Sequence, residues 1–325
     1  MDAGNPFERG PGIGFRLAAY AAPLPAAVTG PVRLAAVVRD GRQARPVSDE
    51  VFAEIRRSYA YDRRPLNTAI ESTETTASFV HAVVTFDAAY GGERERAHLF
   101  LPRQALPPYQ TVVLFPAGDA FQLRSSRDMS LAWVSLVVES GRALLYPIYK
   151  GTYERQIQDT PGEQGLRELR IAWSRDLGRA IDYLETRPDI DRTRVAYWGV
   201  SSGADAGVPL CALEPRLRTA ILLGTGIWGD DTSVGDNYNY APRLRMPVLL
   251  LNGRYDFSTP VETAQVPLFD LLGTPAADKR HVVFETGHAL PLGDVAREML
   301  PWLDRYLGRV TSPGSALTPT TPVAR

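Results

Sequence analysis

Cysteine is almost missing from this chain. Cys211 is the only one in 325 residues, so no internal disulfide can form, and a reducing, cytoplasmic compartment is the simpler setting. An excess of either charge is missing too: 36 Lys and Arg stand against 37 Asp and Glu, for a formal net charge of −1. That balance argues against nucleic acid or an anionic membrane surface as a partner. No apolar run approaches the ~20 residues needed to span a bilayer. The stretch with leader-like composition, residues 16–28, lies behind acidic Glu8 and is interrupted by Pro23 and Pro25, so a secretory signal is not expected. Histidine is scarce, with four in all, which keeps the search for an acid–base group short. No internal repeat is visible.

What remains is an ordinary globular composition, 44% hydrophobic and 22% charged. Residues 1–46 are rich in Gly, Pro and Ala with no sustained period, and read as an extended arm. Ser48 has the form of an N-cap, with Asp49 and Glu50 in the first turn, where the helix dipole favours acids. That helix should run to near Asp62, ahead of Pro65. Two strand-like runs, 79–86 and 95–101, flank Gly91-Gly92 and predict a hairpin.

Beyond the hairpin, short apolar runs alternate with longer helical patterns. The runs begin near 111, 143, 194, 219, 247 and 281; helices are expected around 128–140, 164–187, after Ser201, around 261–272, and finally to about Leu307. Continuous apolar strands between amphipathic helices predict a mostly parallel sheet covered on both faces, with the hairpin as an antiparallel N-terminal edge. The domain should span 47–309. Residues 310–325, rich in Thr, Pro and Ser, predict a disordered tail.

The motif that carries chemistry is Gly199-Val200-Ser201-Ser202-Gly203, a G-x-S-x-G between a predicted strand and a helix. A sharp strand-to-helix turn leaves no room for a Cβ two residues on either side of its tip, and it lifts the Ser201 hydroxyl above the carboxyl edge of the sheet. A plain helix cap is the simpler use of such a serine. The rest of the chain supplies what a nucleophile needs: an imidazole to take its proton and an acid to orient the imidazole. Asp256 follows the strand near 247, and His288 follows the strand near 281, in the order Ser, acid, His. His81, His98 and His281 fall within or at the start of strands and suit structural roles. Asp230 and Asp231 are rival acids.

An oxyanion would take the backbone N–H of Ser202, at the positive end of the following helix, and a second N–H from the loop Pro116-Ala117-Gly118-Asp119-Ala120, with Gly118 or Asp119 favoured. Tyr149, Lys150, Tyr153 and Trp228 lie in loops predicted at the same edge. They are candidates for an apolar or aromatic substrate pocket, Lys150 as a counter-charge to a substrate carboxylate; packing a lid is an equally good use of the rings.

With these residues in place, the chain resembles the serine α/β-hydrolase superfamily, on its dienelactone-hydrolase-like side. The wording of Y-A-Y-D-R-R-P-L-N at 59, F-D-A-A-Y-G-G-E-R at 86, P-P-Y-Q-T-V-V-L-F-P at 107 and W-L-D-R-Y-L-G at 302 is similar to hydrolase domains at the C-terminal end of bacterial multidomain serine/threonine protein kinases. G-I-G-F-R-L-A at 12–18 is similar to the closing segment of formylglycine-generating-enzyme-like domains, which precede the hydrolase in such kinases. The resemblance thus implies that the arm is a remnant of a preceding domain. Dienelactone hydrolases proper use a cysteine nucleophile where this chain has Ser201, so dienelactone itself is not the implied substrate.

The expectation is therefore an esterase of the α/β-hydrolase fold, working on a small-molecule ester through an acyl-enzyme. No metal or cofactor is expected, and oligomerisation is left open. The rival readings are a non-catalytic binding or sensor domain derived from a kinase-linked hydrolase, and a peptidase or thioesterase on the same fold.

Overall fold

The computed structural model describes residues 40–157, 163–227 and 237–310. Most of the expected arm, residues 1–39, and the expected tail from 311 onward lie outside the described residues, as do Trp228, Asp230 and Asp231.

The described chain opens with helix α1 (Asp49–Arg57), which Ser48 caps by accepting the Val51 N–H. The helix stops at Ser58, short of the Asp62 expected from sequence. Ser58 Oγ donates to the Ile55 carbonyl, and the next residue, Tyr59, is buried with its hydroxyl 2.7 Å from that of Tyr240. Burying that ring turns the chain earlier than helix propensity alone would.

Among the described residues, nine strands form one sheet: β1 (Ala69–Thr75), β2 (Phe79–Asp87), β3 (Arg94–Pro102), β4 (Tyr109–Phe115), β5 (Ala143–Pro147), β6 (Ile190–Val200), β7 (Thr219–Leu223), β8 (Val248–Gly253) and β9 (Lys279–Phe284). Their spatial order is β1-β2-β3-β5-β4-β6-β7-β8-β9. The six strands from β5 to β9 in that order run parallel, and β1, β2 and β3 form the antiparallel edge. The outermost strand β1 has no counterpart in the sequence reading. Every residue of Ala-Ile-Glu-Ser-Thr-Glu-Thr is exposed, so it carries no apolar alternation for a reader to find.

The helices α2 (Leu131–Glu139), α3 (Glu163–Glu185), α4 (Ser202–Leu213), α5 (Asn237–Tyr240), α6 (Val266–Leu271) and α7 (Leu292–Leu307) cover the two faces, and a π-turn, Val261–Gln265, leads into α6. The continuous apolar strands serve both sides. On β4, Val113 and Phe115 join the core with α1, α3 and α4, while Val112 and Leu114 join the opposite core with α2 and α7. A buried side chain of that size contributes roughly 1.5–3 kcal/mol of hydrophobic stabilisation. The parallel strands all end at one rim, which receives the loops after β4, β6, β8 and β9.

Candidate active site

The central strand β6 delivers Ser201 to that rim. Ser201 adopts φ +52°, a left-handed backbone that is strained for a serine, and its N–H donates to the Leu223 carbonyl of the neighbouring strand at 2.7 Å. The turn is tight: a Cβ on Gly203 would stand 2.2 Å from the Phe115 carbonyl oxygen. Ser202 opens α4, so its N–H belongs to the orphan donors of a helix N-terminus.

Asp256 follows β8, and His288 follows β9. Two backbone hydrogen bonds lace their loops together, Arg254 N–H to the Phe284 carbonyl at 2.8 Å and Tyr255 N–H to the Thr286 carbonyl at 2.9 Å. The approach is close enough that a Cβ on Gly253 would meet the Gly287 carbonyl oxygen at 1.9 Å.

The structure draws Ser201, His288 and Asp256 together. Ser201 Oγ lies 2.7 Å from His288 Nε2, and His288 Nδ1 lies 2.7 Å from Asp256 Oδ2. Burial opposes a charge on Asp256, but hydrogen bonds from His288, Ser258 and Thr259 outweigh it and bring the carboxyl down to about 2. An ionised carboxylate only accepts. Nδ1 therefore carries a proton, and in the neutral imidazole Nε2 presents a lone pair to the Ser201 hydroxyl.

Gly118 begins a short 3-10 turn, Gly118–Phe121, in the loop after β4, and a Cβ on it would lie 3.1 Å from Ser202 Oγ. Asp119 turns its carboxylate back to the Ala120 N–H at 3.0 Å. The loop therefore borders the start of α4.

The aromatic candidates are placed otherwise than the pocket expectation had them. Tyr149 is fully buried and stacked on Phe115 with ring centroids 4.0 Å apart. Tyr153 is buried as well, its hydroxyl 2.8 Å from that of Tyr146. Both rings belong to the buried core clusters, one on each face of the sheet. Lys150 Nζ pairs with Glu93 at 2.6 Å and sits over the Tyr90 ring, which balances its charge within the protein.

Sequence reasoning missed Ser258, Thr259 and Gln265, which hold Asp256 and the loop that carries it. Ser258 and Thr259 donate to its carboxylate, while Gln265 donates to the Gly253 and Thr259 carbonyls. The signal was present in Asp256-Phe257-Ser258-Thr259, since a carboxylate followed by hydroxyls two and three residues on favours a side-chain-closed turn. Among the described residues, no cluster of three or more His, Cys, Asp or Glu is arranged to hold a metal ion, and no helix is long and apolar enough to cross a membrane.

The fold has clear relatives among solved structures. An acetyl xylan esterase from Paenibacillus sp. R4 superposes with a TM-score of 0.62 at 17% identity, covering 82% of this chain and 98% of that one. The chain has the α/β-hydrolase fold. The acetyl xylan esterase 1 of Thermoanaerobacterium sp. JW/SL YS485 gives a TM-score of 0.61 at 17% identity, over 81% of this chain and 97% of that one. A cold-adapted esterase from an Arctic intertidal metagenomic library gives 0.57 at 18% identity, over 76% and 99% of the two chains. In sequence, the chain is 27% identical over 260 residues to the esterase FrsA of Photobacterium profundum, covering 77% of this chain and 56% of that protein. It thus spans about half the length of that curated relative. No protein-family profile matches the chain.

Proposed function

We propose that this protein is a carboxylic ester hydrolase with Ser201 as nucleophile, His288 as general base and acid, and Asp256 as the acid that orients the imidazole. The observation that carries the reading is the unbroken line from Ser201 Oγ through both nitrogens of His288 to Asp256 Oδ2, with each gap 2.7 Å. The named esterases among the structural and sequence relatives support the ester class.

In this mechanism Ser201 Oγ attacks the ester carbonyl carbon while its proton passes to His288 Nε2. The imidazolium that forms is stabilised by ionised Asp256 through Nδ1–H. The carbonyl oxygen, now negative, takes hydrogen bonds from the Ser202 N–H and from an amide of the 117–119 loop, Gly118 or Asp119. The tetrahedral intermediate collapses, and His288 gives its proton to the departing alcohol. Water then attacks the acyl-enzyme, losing its proton to His288, and the carboxylic acid leaves as the proton returns to Ser201. Neither the imidazole nor the acid identifies the leaving group, so esters, thioesters and peptide anilides should be compared side by side. Cytoplasmic residence belongs to the same proposal and rests on the lone, buried Cys211.

The test is Ser201→Ala. Turnover of p-nitrophenyl acetate should fall by about 10³ to 10⁶, the span seen when such a unit loses its nucleophile, and covalent labelling by a fluorophosphonate should disappear. A folded variant that keeps a tenth or more of the activity would overturn the assignment.

A further inference from the structure

We propose that Thr259 is a positioning residue that sets the orientation of the Asp256 carboxylate toward His288. The proposal rests on the ester-hydrolase reading above. The terminal torsion of an aspartate is broad, so the direction of its oxygens must come from what they bond. Asp256 Oδ2, the oxygen that faces the imidazole, has a second partner: Thr259 Oγ1 donates to it at 2.7 Å, the same distance as His288 Nδ1. Asp256 Oδ1 receives Ser258 N–H at 3.0 Å, the Ser258 hydroxyl, and Thr259 N–H at 3.3 Å.

The two hydroxyls differ in environment. Ser258 is exposed, so water can replace its donor at little cost. Thr259 is fully buried, and nothing replaces it. Its backbone is held in turn. Gln265, fully buried at the end of the π-turn, donates through Nε2 to the Gly253 carbonyl at 2.9 Å and the Thr259 carbonyl at 2.7 Å. That single amide closes the loop carrying Asp256 at both ends.

The experiment is kcat and KM for p-nitrophenyl acetate, expressed per site titrated to completion with a fluorophosphonate, so that unfolded molecules are not counted. Thr259→Val keeps the shape and removes the donor; kcat should fall about 10- to 100-fold, the worth of a hydrogen bond to a charged group, with KM within about twofold. Thr259→Ser should recover most of the loss. Should Thr259→Val fail to fold, Thr259→Cys retains the volume with a weaker donor and should show a smaller fall in kcat. A folded Val or Cys variant with parental kcat, or a Ser variant as slow as Val, overturns the role of the hydroxyl. Ser201→Ala separates the two claims: an active Ser201→Ala sinks the hydrolase reading, whereas an inactive one beside a fully active Thr259→Val sinks only this inference.

Discussion

Gly199 and Gly203 meet across the turn that carries Ser201: a Cβ on Gly199 would stand 2.3 Å from the Gly203 carbonyl oxygen. Real Cβ atoms do not approach backbone oxygens that closely. The turn can hold its left-handed serine only because both flanking positions lack a side chain.

Gly199→Ala and Gly203→Ala should therefore each lower stability by about 3 kcal/mol or more, the cost of forcing atoms into a packed site whose neighbours are backbone. Chemical denaturation reads this directly. A midpoint close to that of the parent for either variant would show that the turn yields more easily than its geometry implies.

Asp256→Asn should leave the fold intact and lower kcat by about 10³ to 10⁴, because an amide side chain can face the imidazole with either group and loses the charge that stabilises it. The pH dependence of stability follows from the depressed carboxyl, about 2 in the folded protein against ~3.9 in an unfolded chain. Ionised Asp256 stabilises the folded state fully above pH ~4, and that stabilisation fades as the pH falls toward 2. The stability difference between the parent and Asp256→Asn should shrink by about 2 kcal/mol across that interval. Urea titrations at pH 6 and pH 2 measure it.

Glu95 points to the opposite slope. It is fully buried, and neither carboxylate oxygen has a hydrogen-bond partner among the described residues. Burial, reinforced by Asp176, pushes its carboxyl well above the usual range against the pull of Arg155 and Arg179. The folded state then holds a proton that the unfolded state releases, so stability falls as the pH rises past the ordinary glutamate value of ~4.3. Glu95→Gln, which cannot ionise, should flatten stability between pH 5 and pH 8 on the scale set by that range. An unchanged slope would place the titration elsewhere.

Tyr149→Phe tests the aromatic segment after β5. The hydroxyl of Tyr149 is buried with no hydrogen-bond partner among the described residues. Removing it should leave stability unchanged or raise it by up to about 1 kcal/mol, since an unpartnered polar group loses its hydration and gains nothing in exchange. KM for aryl esters should not move, because the ring stacks on Phe115 within the core. A marked rise in KM would restore the ring to the substrate pocket.

Much of the site was legible because it is written in local chemistry. A serine between glycines at the end of an apolar strand is a backbone constraint visible in five letters, and the acid and the imidazole each follow a strand whose direction is set by the alternation of strands and helices. The supporting residues were harder to see. Gln265 reaches the Gly253 and Thr259 carbonyls only once a π-turn has folded, and a π-turn leaves no periodicity that separates it from an ordinary helix. Lys150 was a candidate counter-charge to a substrate carboxylate because Glu93, the residue that takes up its charge, lies 57 positions away.

The amino-acid sequence by itself determined the alternating strands and helices, the parallel sheet they demand, and the identity and chain order of Ser201, Asp256 and His288. These follow from side-chain polarity and backbone sterics over short distances. Only the tertiary structure decided that an exposed strand, β1, extends the sheet, that α1 ends where Tyr59 is buried, and that the rings of Tyr149 and Tyr153 turn inward. Each of those outcomes depends on a partner distant in the chain, and long-range packing, unlike turn chemistry or hydrophobic period, has no signature within the segment it shapes.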